Sequence, residues 1–264
     1  TQPFPTRPAP FDYQGVTIDD LVDFTPEIRA IAVEAVEDFR LGPLFTPLDR
    51  PIAGGTRGTL MRPPPGGAAG WAGAAVDPDT GMLYVPSRNQ AAVVSLYQPD
   101  RALGATVAYT HGAPEADRLA RRGNIRAYPQ MPQGLPLLKP PYSRMTAIDM
   151  NTGEHAWWVP TGEGNRYRRH RLLRDLDLPP LGGDNATAGP VLTKTLLIYC
   201  LTAGGTNDGP RLVAYDKTTG AELGSVDLPS GAVGTPMTYQ ADGRQYIALT
   251  IGGGPRLVAF ALPR

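Results

Sequence analysis

Arg211–Asp216 is an apolar run that ends in an acid. Lys217-Thr-Thr-Gly220 follows as a tight turn, and Ala221–Leu228 returns as a second run. The chain writes this strand–turn–strand unit again elsewhere. Met145–Asp149 leads through Met150-Asn-Thr-Gly153 into Glu154–Val159, Asp77-Pro-Asp-Thr-Gly81 leads into Met82–Val85, and Arg256–Phe260 repeats the first half near the C-terminus. Repetition at a fixed period decides the architecture before any other signal, because each repeat buries its apolar face only against the next. Val191 aligns with Met237, 46 residues on, and Arg211 with Arg256, 45 residues on. Strands are expected at Thr187–Leu192, Thr195–Leu201, Arg211–Asp216 and Ala221–Leu228, and again at Gly234–Tyr239, Gln245–Ile251 and Arg256–Ala261.

A period of about 45 residues with four strands per unit predicts β-propeller blades. The chain is expected to be all-β, with about three to four blades and one helix near its N-terminus. The expected division is an extended segment and helix over residues 1–53, an interrupted blade over 54–160, a blade after an Arg-rich insertion over 161–229, and an incomplete last blade over 230–264. In a closed ring the strand completing the last blade comes from the N-terminal part of the polypeptide, and typical propellers have at least four blades. The chain therefore reads as the C-terminal part of a larger propeller.

Composition agrees with short strands joined by turns, since 31 Gly and 29 Pro occur among 264 residues and only 19% are charged. Apolar residues make up 41% and fall in organised runs, which excludes a disordered chain. Lys+Arg and Asp+Glu number 25 each, so no global charge draws nucleic acid or an anionic membrane. Cys200, the single cysteine, ends an apolar run and is expected to be a buried small hydrophobe. No apolar stretch approaches the roughly 20 residues of a membrane helix.

One segment has a helical period. Thr25 is placed as N-cap, Pro26 at the first helical position and Glu27 near the positive end of the dipole. Ile28, Ile31, Ala32, Ala35, Val36 and Phe39 form one apolar stripe, and the helix is expected to end near Arg40–Gly42. Further strands are expected at Thr59–Arg62, Trp71–Val76, Met82–Pro86 and Ala92–Tyr97. Residues 87–142 are the least regular part, and a loop of that length serves a function or covers something. A second insertion gathers Arg166, Arg168, Arg169, His170, Arg171 and Arg174 with Tyr167 as its one aromatic. It is expected to be a solvated loop paired with acids such as Asp175 and Asp177, not a nucleic-acid surface. His111, His155 and His170 lack zinc-ligand spacing, and no phosphate loop or nucleophile elbow is present. The acids of Asp77–Gly81 fall short of a calcium loop.

Seven strings occur in order: Gly42-Pro-Leu-Phe-Thr-Pro47; Gly58-Thr-Leu60; Gly70-Trp-Ala-Gly73 with Asp77–Ser87; Leu138-Lys-Pro-Pro-Tyr142; Thr146–Glu154; Leu181-Gly-Gly183 with Thr187-Ala-Gly189; and Gly234–Tyr239 with Gly243-Arg-Gln-Tyr246. Together they resemble the C-terminal part of the pyrroloquinoline quinone (PQQ)-dependent dehydrogenases, most of all the membrane-bound quinoprotein glucose dehydrogenases. The resemblance runs from about Phe4 to the end. It implies an eight-bladed propeller with PQQ near its axis, calcium or a similar divalent cation on the quinone, and oxidation of a glucose-type sugar or an alcohol hydroxyl. Electrons would pass to ubiquinone or another acceptor. It also implies a periplasmic location, with attachment to the inner membrane through a region upstream of Thr1. PQQ carries the redox chemistry itself, so the protein must bind and orient it and supply a base.

In this family the catalytic Asp, most cation ligands and the Trp stacked on the quinone lie in the N-terminal half. No catalytic residue and no metal ligand is therefore assigned in this chain, which by itself is expected to be inactive and to depend on the remaining blades. Two segments of the family's site do fall here. Many relatives carry Asn before Trp71, its amide near the quinone oxygens, where this chain has Gly70. Alcohol-oxidising relatives carry Trp at the position of Leu181, whereas the glucose type carries Leu. Gly70, Trp71, Leu181, Gly182 and Gly183 are thus the candidate cofactor-binding residues, the glycines suiting close approach of backbone to a flat ligand. The alternative for these residues is that Trp71 is blade core and the glycines are turn residues. The alternative for the whole is a non-catalytic propeller scaffold that binds partner proteins, supported by the lack of a side-chain donor at Gly70.

Overall fold

The acid that opens each repeated turn folds the turn with its own side chain. Asp216 Oδ1 accepts the backbone N–H groups of Thr218 (2.7 Å) and Thr219 (2.9 Å), Asp149 Oδ1 accepts that of Asn151 (2.8 Å), and Asp77 Oδ1 that of Asp79 (3.1 Å). Gly220, Gly153 and Gly81 then take φ values of 74°, 73° and 72°, a conformation that a Cβ strains. The computed structural model describes residues 3–50, 55–99, 101–111, 128–254 and 256–261.

Up to residue 160 the chain carries β1 (Thr59–Met61), β2 (Ala75–Asp77), β3 (Met82–Arg88), β4 (Ala92–Val94), β5 (Leu96–Tyr97), β6 (Thr110–His111), β7 (Ser143–Asp149) and β8 (Glu154–Pro160). After residue 160 it carries β9 (Thr187–Ala188), β10 (Val191–Leu192), β11 (Leu196–Leu201), β12 (Arg211–Asp216), β13 (Glu222–Asp227), β14 (Ala232–Ala241), β15 (Arg244–Ile251) and β16 (Arg256–Ala261). Two α-helices are described, α1 (Pro26–Glu34) and the single turn α2 (Asn165–Arg168). The chain divides into two compact units, one of Thr1–Asp12, Ala68–Arg88 and Pro140–Arg264, the other of Tyr13–Gly67 and Asn89–Lys139.

The larger unit holds three four-stranded sheets, ordered β2-β3-β7-β8, β10-β11-β12-β13 and β9-β14-β15-β16. The first two are antiparallel throughout, whereas β9 joins the third sheet parallel to β14. Successive side chains of a strand point to opposite faces, and β11 uses both. Leu197, Tyr199 and Leu201 enter a core with Tyr84, Met145, Ala147, Val213 and Tyr215 between the first and second sheets. Ile198 and Cys200 enter a second core with Leu212, Ile247, Leu249 and Ile251 between the second and third. That is why β11 reads as an unbroken apolar run. Cys200 is buried as expected, and burial pushes its thiol pKa up to about 12.

Three expectations are corrected. The run Thr187–Leu192 is not one strand: β9 adds to the third sheet and β10 to the second. Pro190 between them has no N–H to give a ladder, and a Cβ on Gly189 would lie 2.4 Å from Ala72 O, so the chain crosses between sheets there. The run Ala92–Tyr97 likewise divides, β4 pairing with β1 and β5 with β6. Finally, the strand expected from Trp71 begins at Ala75, because Gly70–Gly73 closes a turn with Gly73 N–H donating to Gly70 O at 3.1 Å.

In the smaller unit, Thr25 Oγ1 caps α1 by accepting the Ile28 N–H at 3.2 Å. The helix ends at Glu34, earlier than its apolar stripe. Val36 and Phe39 still point inward because tighter turns continue, Val36 N–H donating to Val33 O (3.2 Å) and Phe39 N–H to Val36 O (2.9 Å). Arg62, 5% exposed, organises the unit: its Nε–H donates to Gly15 O (2.6 Å) and its Nη2 to Asp20 Oδ1 (2.6 Å), with Tyr13 under the guanidinium at 4.8 Å.

Candidate functional site

Residues 181–186 of the larger unit run across the ends of four strands. Leu181, wholly buried, gives its N–H to Glu163 O (3.1 Å) and accepts that of Tyr142 (2.7 Å). Gly182 N–H donates to Gly162 O (3.1 Å) and Gly183 N–H to Ser143 Oγ (2.7 Å). Asp184 N–H then reaches Thr161 O (3.3 Å), its carbonyl accepts Thr202 N–H (2.7 Å), and Ala186 N–H reaches Cys200 O (3.2 Å). The segment thereby stitches the first sheet to the second with its own backbone.

Both glycines are set by protein contacts. Gly182 has φ 67°, and a Cβ there would lie 2.3 Å from Ser143 O. A Cβ on Gly183 would lie 2.8 Å from the Tyr167 ring. Tyr167 in turn packs on Tyr142, ring centroids 4.4 Å apart. Burial raises the phenol pKa of both tyrosines, and Tyr142 Oη is buried with no hydrogen-bond partner.

The polar side chains beside this segment escaped sequence reasoning. Asp184 is 5% exposed; burial raises its carboxyl pKa against the bond that its Oδ2 accepts from Gly164 N–H (3.0 Å). Asn185, Ser143 and Thr161 are buried and hydrogen-bonded to one another. Their one local signal is polar residues directly after Gly182-Gly183 in an otherwise apolar stretch.

Trp71 is 81% exposed. Its backbone is nevertheless held: Ala68 O accepts Arg88 N–H (3.0 Å), and Ala72 O accepts Thr235 Oγ1–H (3.1 Å). A Cβ on Gly70 would meet open space, with Ala72 N 4.0 Å away. Arg88 links this segment to the previous one, because its Nη2 donates to Asn185 O at 2.7 Å.

Four arginines of the basic insertion have partners within the larger unit. Arg169 Nη1 lies 2.9 Å from Asp208 Oδ2, Arg174 Nε 3.5 Å from Asp175 Oδ2, and Arg168 Nη1 donates to Pro179 O (2.8 Å). Arg166 lies over the Tyr167 ring at 4.8 Å. The side chain of His111 lies outside the described residues. In the smaller unit, Gly15, Pro43, Leu44, Phe45, Leu60 and Arg62 line an apolar cavity of about 200 Å³ that includes none of the predicted residues.

A flat tricarboxylate quinone needs aromatic faces and convergent donors. Trp71 fits as an open indole beside an open Gly70. Leu181, Gly182 and Gly183 fit as support, since their side-chain directions are filled by protein. No cluster of three or more His, Cys, Asp or Glu that could hold a metal occurs among the described residues.

Residues 1–247 match the family model described as "PQQ: Glucose/ethanol/alcohol dehydrogenase, beta-propeller domain". The chain is 30% identical over 229 residues to quinoprotein glucose dehydrogenase A of Acinetobacter calcoaceticus, covering 78% of this chain and 26% of the relative. It is 34% identical over 144 residues to quinate/shikimate dehydrogenase (quinone) of Acinetobacter baylyi, covering 50% and 17%. The chain thus spans about a quarter or less of the length of these curated relatives. Among solved structures, quinohemoprotein alcohol dehydrogenase ADHIIG of Pseudomonas putida HK5 superposes with a TM-score of 0.46 at 22% identity, over 74% of this chain and 24% of that one.

Proposed function

The chain belongs to the PQQ glucose/ethanol/alcohol dehydrogenase β-propeller family, and from that premise we propose that it is part of a PQQ-dependent dehydrogenase that oxidises a sugar or alcohol hydroxyl. The observation that carries this reading is the family match over residues 1–247. Relatives named for glucose, and for quinate and shikimate with a quinone, support a polyhydroxylated substrate and a quinone acceptor. Leu181, at a position where the resemblance gives Leu to the glucose type, supports a sugar.

In this reading the three four-stranded sheets are blades of one eight-bladed ring in the periplasm. Gly70 and Trp71 border the quinone, and Leu181, Gly182 and Gly183 hold the strand ends behind it. PQQ, when bound, supplies the two-electron chemistry; this chain's residues orient it and exclude water. The base and the ligands of a calcium-type cation belong to other parts of the protein.

The test is the full-length protein given PQQ and calcium with an artificial electron acceptor and a panel of aldoses, polyols and alcohols. Reduction of the acceptor with at least one substrate is expected; reduction with none sinks the reading. A non-catalytic propeller that holds partner proteins is the second reading. It is favoured by the bare Cα of Gly70, where the resemblance places an amide donor.

A further inference from the structure

We propose that Ser143, Thr161 and Asn185 are positioning residues: a one-way hydrogen-bond relay through them fixes the Gly183 peptide to the end of β3, so that the Trp71 segment and the Gly183 segment behind it keep one geometry. That the Trp71 segment borders PQQ, with the Gly183 segment behind it, rests on the function proposed above; the relay itself rests on the geometry alone.

The direction of every link follows from its donors. Asn185 Nδ2 donates to the Ser87 carbonyl (3.1 Å), which fixes the amide so that Oδ1 faces Thr161. Thr161 gives its one hydroxyl hydrogen to Asn185 Oδ1. Ser143, whose Oγ is 2.6 Å from Thr161 Oγ1, must therefore donate to Thr161. Ser143 Oγ is then left to accept the Gly183 N–H at 2.7 Å. The relay runs Gly183 to Ser143 to Thr161 to Asn185 to Ser87 and has no reversed form, since reversal would set Asn185 Oδ1 against the Ser87 carbonyl.

Ser87 and Thr161 are 0% exposed, Ser143 1% and Asn185 6%. A half-satisfied network at such depth costs more than an apolar one. From Ser87 the linkage continues through the next residue: Arg88 N–H holds Ala68 O and Arg88 Nη2 holds Asn185 O. Ala68 stands two residues before Gly70. The Trp71 segment and the Gly183 segment are thus the two ends of one hydrogen-bond network, buried between Ser143 and Ser87.

The experiment uses the full-length protein with variants Ser143→Ala, Thr161→Val and, as the conservative control, Thr161→Ser. Amide hydrogen exchange at Gly183 is measured without cofactor, and the PQQ dissociation constant by titration. Ser143→Ala is expected to speed Gly183 exchange and weaken PQQ by about tenfold, the loss of roughly one well-made hydrogen bond. Thr161→Val is expected to weaken PQQ although Thr161 belongs to neither segment, and Thr161→Ser to restore it. Should Ser143→Ala fail to fold, the two Thr161 variants decide the matter.

Unchanged Gly183 exchange in Ser143→Ala overturns the relay. Faster exchange with unchanged PQQ affinity overturns its positioning role. A wild-type protein that binds no PQQ defeats the proposed function and the positioning role with it, while the exchange measurement still judges the relay.

Discussion

Lys217 Nζ lies 2.5 Å from Asp77 Oδ2, an ion pair whose side chains are 15% and 7% exposed. It ties the turn after β12 to the turn after β2, and so the second sheet to the first. The Lys217 carbonyl adds to the tie by accepting Trp157 Nε1–H (3.0 Å) and Tyr84 Oη–H (3.2 Å). Asp216 shapes its own turn, and the residue after it fastens neighbouring sheets.

Lys217→Met should lower Tm by several degrees, because it leaves a buried carboxylate without its cation. Adding Asp77→Asn should recover part of the loss. The Lys217 ammonium holds the Asp77 carboxyl below the usual range. Its contribution is therefore complete above the unfolded carboxylate pKa, about 3.9, and is lost as pH falls through the folded value. The gap between wild type and Lys217→Met should narrow in acid. Thermal melts across pH check both statements.

Glycines with and without space should answer differently to substitution. Gly182→Ala drives a Cβ to 2.3 Å from Ser143 O at a φ of 67° and should cost about 2 kcal/mol or more. Gly70→Ala meets open space and should stay within about 0.5 kcal/mol of wild type. Gly70→Asn should be as well tolerated and should tighten PQQ binding by the full-length protein, if an amide at that position reaches the quinone. Denaturant melts and PQQ titration of the three variants give the comparison.

Asp184 should have a pH dependence opposite to that of Asp77. Burial raises its carboxyl pKa, so the folded state holds its proton above the unfolded pKa, and stability falls as pH rises through that window. The groups that influence its charge are Asp208, Arg211 and Glu163. Asp184→Asn keeps an acceptor for Gly164 N–H and should stabilise the protein at pH 7, the gain vanishing below about pH 4. Asp184→Ala strands that N–H and should destabilise at every pH. Melting both variants from pH 3 to 8 separates the two effects.

The clamp on Trp71 is open to the same kind of test. Gly189→Ala places a Cβ 2.4 Å from Ala72 O and 2.7 Å from Thr235 Oγ1. Thr235→Val removes the bond to Ala72 O. Both should change the fluorescence of the exposed Trp71, Gly189→Ala more than Thr235→Val, in a Trp157→Phe, Trp158→Phe background.

What could be read from the sequence was local or periodic. The Asp216 and Asp149 turns carry their own acceptors, and β11 is apolar on both faces because both are covered. Val36 and Phe39 are buried as their stripe demanded, although α1 ends before them, since turn bonds continue the rotation. The division of Thr187–Leu192 was not legible, because it depends on Ala72 crowding Gly189 from 117 residues away. Trp71 offered no periodic cue to its exposure. Ser143 and Thr161 stand 18 residues apart and Thr161 and Asn185 24, so their relay exists only once the sheets have met. Gly182 and Gly183 drew notice as glycines, but the strand and ring that require them lie elsewhere in the chain.

In the proposed function Trp71 borders PQQ. That placement is tested most directly by titrating PQQ into the full-length protein, wild type against Trp71→Phe, and following tryptophan emission. Saturable quenching is expected in wild type, with a clear loss of quenching amplitude in Trp71→Phe. Equal amplitudes in the two proteins, or no saturable quenching in wild type, would contradict it.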